Sequence, residues 1–116
     1  VFDFQTDFRF TRQVEALVPT LDGQQKKTFT GIFRLVPKAE MLKAFEAVSE
    51  DHDTVLMRLA FIGWKDDLTQ NGRPWPYSEA ARDELLSVNF IRAAIAMAYW
   101  RAVNGVAEEP GIIEKN

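Results

Sequence analysis

The sequence predicts an α+β fold: an N-terminal antiparallel β-hairpin, with a third strand admitted, followed by a bundle of about four α-helices. Three observations carry this. Apolar residues alternate with period two across Phe2 to Val18 and again across Thr28 to Val36. An Asp22-Gly23 pair separates the two stretches. After Pro37 the apolar spacing lengthens to that of a helix and is interrupted by capping residues. Hairpin region (1–36), helical region (37–104) and tail (105–116) are expected to form one domain.

In the first stretch Phe2, Phe4, Phe8, Phe10, Val14, Ala16 and Val18 occupy even positions, whereas Asp3, Gln5, Asp7 and Arg9 occupy odd ones. That is extended backbone with one apolar face. Asp22-Gly23 supplies residues that tolerate the positive φ of a tight two-residue turn. With those two at the centre, Ala16 faces Phe29, Val14 faces Gly31, Arg12 faces Phe33 and Phe10 faces Leu35. The apolar faces then coincide, and a one-residue slip would separate them.

Pro37 suits the first position of a helix, where its missing N–H costs nothing. Met41, Leu42, Phe45 and Val48 follow at helical spacing. Asp51 or Asp53 is the expected N-cap of a second helix, which carries Val55, Leu56, Leu59 and Ile62 on one side and Met57, Ala60, Phe61 and Trp64 on the other. Lys65 to Tyr77 reads as a long loop, with Asn71-Gly72 and Pro74-Trp75-Pro76 inside it. Ser78 is the expected N-cap of a third helix that places Ala81, Leu85 and Leu86 inward. A last helix spans Asn89 to Val103 and stops at Asn104-Gly105. The tail from Val106 to Asn116 is expected to be loosely ordered.

The 116 residues are 47% hydrophobic, with nine Phe and three Trp, enough for a core without covalent staples. Absence of Cys removes disulfides, thiolate metal sites and Cys nucleophiles. The net charge of −3, without a Lys/Arg-rich run, argues against nucleic-acid binding, which draws on a basic face. Apolar runs such as Ala93 to Trp100 fall well short of the roughly 20 residues of a membrane span. No secretory leader is visible, and since the chain opens at Val1 some N-terminal sequence is expected to be trimmed. An intracellular protein is expected.

The sharpest catalytic candidate is Asp51-His52-Asp53, around the only histidine. A His between carboxylates can ligate a metal or act as a general base. Adjacent residues at a helix start diverge, however, and no second His or Cys completes a site. The two Asp residues are accounted for by the positive end of the helix dipole. Asp66-Asp67 before Asn71-Gly72 lacks the alternating acids and closing Glu of a calcium loop and reads as solvated. Ser49, Ser78 and Ser87 have no activating partner, and no phosphate-cradling glycine loop is present. The sequence therefore predicts no catalytic residues, no metal and no cofactor.

Between Phe90 and Val103 only Arg92 and Arg101 are charged, so the last helix is apolar nearly all round. The second helix is apolar on two sides. Either the two cover each other and the hairpin, or part of their surface awaits a partner or second subunit. The candidates for that surface are Met57, Phe61, Trp64, Phe90, Ile91, Ile95, Met97, Tyr99 and Trp100. Trp75, held between two prolines, either folds back over Trp64 or stands out as an aromatic anchor.

The order of these features resembles one family. The strand stretch Phe29-Thr30-Gly31-Ile32-Phe33-Arg34 precedes a helix and then Gly63-Trp64. Asn71-Gly72-Arg73-Pro74-Trp75-Pro76-Tyr77-Ser78 leads into the next helix, and an Ala-rich helix with Ala98-Tyr99 closes the domain before Lys115-Asn116. From about Val14 onward this resembles the tail assembly chaperones of long-tailed bacteriophages and prophages; the Phe2 to Phe10 opening has no counterpart. The resemblance implies a non-enzymatic protein that binds the tape measure protein, helps bring tail tube subunits to it in the host bacterial cytoplasm, and leaves before the virion matures. Many such families also make a longer frameshifted form. Self-association through the apolar helices is expected to mask them until a client arrives. The competing readings are a tail-completion or head–tail adaptor that stays in the virion, and a small enzyme using His52.

Overall fold

Two 12-residue strands, β1 (Arg9–Thr20) and β2 (Gly23–Arg34), pair antiparallel along their whole length. The computed structural model describes residues 1–106; the expectation for the tail beyond them lies outside the described residues. The elements that follow are α1 (Lys38–Ala47), α2 (His52–Ala60), β3 (Phe61–Trp64), β4 (Thr69–Gln70), β5 (Arg73–Pro74), α3 (Glu79–Leu86) and α4 (Asn89–Val103). β1, β2 and β3 form one antiparallel sheet in that order, so the α+β reading holds and the third strand is β3.

The hairpin register departs from expectation by two residues. Thr20 pairs with Gly23, Val14 with Phe29 and Phe10 with Phe33, which leaves Leu21 and Asp22 at the turn centre. The φ of Gly23 is +121°, while neither turn residue is positive. Gly23 thus receives the chain after the turn and is not a central residue of it. Thr20 Oγ1 donates to the Gly23 carbonyl at 3.0 Å and closes the corner. Because the slip is an even number, every apolar side chain keeps its face.

The second correction concerns Phe61–Trp64. These residues leave α2 and form β3, with Gly31 opposite Trp64, Ile32 opposite Gly63, and a bulge that then sets Phe33 opposite Phe61. The bulge lets both Phe61 and Trp64 turn inward despite their odd spacing. The supposed loop 65–77 is likewise organised: Thr69–Gln70 pairs with Arg73–Pro74 around Asn71-Gly72, both at positive φ, as a tight type I′ turn requires. Asp67 ties this excursion to the sheet, accepting from the Thr30 amide at 3.0 Å and the Thr30 hydroxyl at 2.8 Å. It is a clamp where a solvated carboxylate was expected.

The helix ends follow their sequence signals. Asp51 caps α2 by accepting from the Thr54 amide at 2.9 Å, and Ser78 caps α3 by accepting from the Ala81 amide at 3.0 Å. Pro37 is the N-cap of α1, one place before its predicted position. Past the Asn104 C-cap of α4, Gly105 takes φ +77°; its amide donates to Ala102 and the Val106 amide to Arg101, a Schellman closure.

The core lies between the inner face of the sheet and α2, α3 and α4. Phe33, Phe61, Leu56, Met57, Ile95 and Val14 are fully buried at its centre. An aromatic chain threads it: Phe10 stacks on Phe33, Phe33 meets Phe61 and Tyr99, Phe61 meets Trp64, and Trp64 meets Trp75 and Tyr77, with centroids 5.1 to 6.1 Å apart. Such pairs add roughly 0.5–1.5 kcal/mol each beyond area burial. Tyr99 also accepts from the Val36 amide at 3.1 Å, fixing α4 to the end of β2. No helix among the described residues is long and apolar enough to cross a membrane.

Candidate partner-binding groove

Both halves of α4 are apolar for different reasons. Ile95, Ala98 and Tyr99 face the core and are buried. On the opposite stripe Phe90 is half-buried, Ala93 is exposed, and Met97 remains 60% exposed. This stripe runs beside the hairpin, whose outer halves continue past the core. The first six residues of β2 are all exposed, and so is Leu17 on β1 at 54%. Between the α4 stripe and this β arm lies a groove of about 520 Å³.

The apolar floor of the groove is formed by Phe90, Ala93, Met97 and Leu17, and its rim carries Arg12, Glu15, Lys26 and Arg101. Three cations against one carboxylate give the rim a positive balance. Lys26 and Glu15 stand 3.9 Å apart, an exposed pair worth little. Arg12 donates to the Val106 carbonyl at 3.0 Å, joining β1 to the end of α4. A groove with these properties can hold an extended or helical segment that offers apolar side chains with acids beside them.

The residues predicted for a partner surface divide. Met57, Phe61, Trp64, Ile95 and Tyr99 are buried and build the core, so they are unavailable to a partner of the folded chain. Ile91 is half-buried and packs against that core. Trp75 folds back, which settles its two readings: its ring lies 5.7 Å from that of Trp64, and its carbonyl accepts from Trp64 Nε1 at 2.5 Å. Phe90 and Met97 line the groove, and Trp100 is 38% exposed with its ring edge-on to Tyr99. Sequence reasoning overlooked Leu17 and the basic rim. Leu17 was readable as the odd-position apolar residue that breaks the alternation of β1. The rim needed the fold to bring Arg12, Lys26 and Arg101 together.

The catalytic candidates have local structural partners. The His52 ring lies flat on Phe45, centroids 3.9 Å apart, and joins α1 to α2. The Thr54 hydroxyl and amide both donate to Asp51 and hold its carboxyl below the usual range. The hydrogen bond from Arg58 lowers Glu50 in the same way and raises the Arg58 guanidinium. Among the described residues no group of three or more His, Cys, Asp and Glu is placed to hold a metal ion. Comparison of the chain with protein-family models, with curated proteins and with solved structures gave no match.

Proposed function

We propose that this chain is a non-enzymatic tail assembly chaperone of a long-tailed phage or prophage. In this reading it holds the tape measure protein in soluble form in the host cytoplasm, helps recruit tail tube subunits, associates with itself, and departs before the virion is complete. The observation that carries the reading is the groove between α4 and the β arm. An apolar stripe left open on an otherwise core-forming helix, with a protruding arm beside it, is a surface for gripping a segment of another chain. The motif order from Phe29 through Asn71-Gly72-Arg73-Pro74-Trp75-Pro76 to Ala98-Tyr99 supports the same family.

The test is co-expression with its own tape measure protein. The wild-type chain should keep that client soluble, and Met97→Glu, which places a charge on the groove floor, should return most of it to the pellet. A client that stays insoluble with the wild-type chain would overturn the proposal. Stoichiometric recovery of the chain in purified particles would favour the virion adaptor in its place.

A further inference from the structure

We infer that the groove is filled by the N-terminal segment of a second copy of this chain. Phe2 and Phe4 of each protomer enter the groove of the other, so the association is reciprocal and closed. The inference specifies the self-association within the proposed function and does not depend on the identity of any client.

The segment before β1 has no strand or helix, yet it presents aromatic side chains to solvent: Phe2 is 79% and Phe4 73% exposed. Among the described residues the one ring contact Phe4 makes is edge-on to Phe8 at 6.0 Å. The groove offers the missing apolar cover, and its 520 Å³ falls within the roughly 300–1,000 Å³ of pockets that enclose compact apolar groups. Charge matches as well. Asp3 lies between Phe2 and Phe4 in the sequence and Arg101 on the groove rim, and neither side chain has a polar partner among the described residues. Asp7 is held locally by Arg9 at 3.2 Å, both largely exposed.

Docking within one chain cannot reach the whole groove. The Phe8 carbonyl accepts from the Leu35 amide at 2.8 Å, which tethers the segment where β1 begins. Phe4 is four residues from that tether, a span of at most roughly 14 Å. Leu17 lies nine residues along β1 in the other direction, roughly 30 Å away. The Leu17 end of the groove is therefore open to another protomer's segment and closed to its own.

Sedimentation velocity of the full chain tests this, with circular dichroism to verify folding. The wild-type chain should dimerise. A Phe2→Ser/Phe4→Ser variant and a Met97→Glu variant, each altered only at exposed positions, should dimerise at least about tenfold more weakly. An equimolar mixture of the two should regain heterodimer, since the first keeps its groove and the second keeps its segment. Combining Asp3→Arg with Arg101→Asp should restore what either change alone weakens. A monomeric wild-type chain, or variants that dimerise as wild type, would overturn the inference; so would dimers that form only after residues 107–116 are removed, because the chain's own C-terminal residues would then be the occupant. The Phe2→Ser/Phe4→Ser variant retains the groove and should still keep the tape measure protein soluble, so failure of the client reading and failure of this one are separable.

Discussion

The two halves of the β1–β2 hairpin share one unbroken register, yet they do opposite work. In the base half, Phe10, Val14, Phe29 and Phe33 turn into the core and are covered by α2 and α4. In the arm half, Leu17 and the whole run Gly23–Thr28 remain in water. Strand pairing alone therefore does not decide stability here. The base is held by what packs against it, and the arm is held by the base. A surface that must stay open is safest as the continuation of an element whose other end is anchored.

Substitutions sharpen this contrast. Phe33→Ala, at the centre of the base, should cost about 3–5 kcal/mol in denaturant unfolding, because it removes a fully buried ring and leaves a cavity. Gly31→Val should cost about 1–3 kcal/mol, since a Cβ there would sit 3.0 Å from Phe33 Cε1 and 3.2 Å from Phe61 Cε1. In the arm, Gly23→Val meets no neighbour but must adopt φ +121°, with an expected cost of about 1–2 kcal/mol. The same strain should also speed amide exchange near the turn. Leu17→Ser should change stability by less than about 0.5 kcal/mol. Equal losses at Phe33 and Leu17 would break the comparison.

A smaller test lies in α2, which packs behind the base. Asp51→Ala should cost about 1 kcal/mol at neutral pH through loss of the cap. The sign of its pH dependence follows from the lowered carboxyl of Asp51. A group whose pKa falls on folding stabilises the native state above its unfolded pKa, and that contribution disappears as pH falls through the folded value. The gap between wild type and Asp51→Ala should accordingly narrow under acid. A gap that widens would mean that the Thr54 contacts do not hold the carboxylate.

Much of this fold was legible because its signals are local. α4 begins and ends at the predicted residues, since its apolar run stops at a Gly that only a left-handed cap requires. The Ser78 and Asp51 caps were readable for the same reason. β3 was missed because Phe61-Ile62-Gly63-Trp64 continues the apolar spacing of α2, and so short a run does not separate helix from strand. The register was off by two because Asp22-Gly23 fits a turn centre as well as its edge, and nothing in the sequence weighs Leu21 against Gly23. The groove was half visible. Excess apolar surface on α4 could be read, but which side faced the core depended on where Tyr99 and Ile95 found their partners.

The bond from the Val36 amide to Tyr99, together with that from Arg12 to Val106, also has a consequence for synthesis. Residues 36 and 99 are 63 apart in the chain, and residues 12 and 106 are 94 apart. A nascent chain emerging from the ribosome exposes Phe10, Val14, Phe29 and Phe33 long before α4 exists to cover them. Pairings so distant make folding slow and leave its early stages prone to aggregate. A premature stop between Arg34 and Tyr99 would thus release a hairpin whose aromatic face α4 never covers.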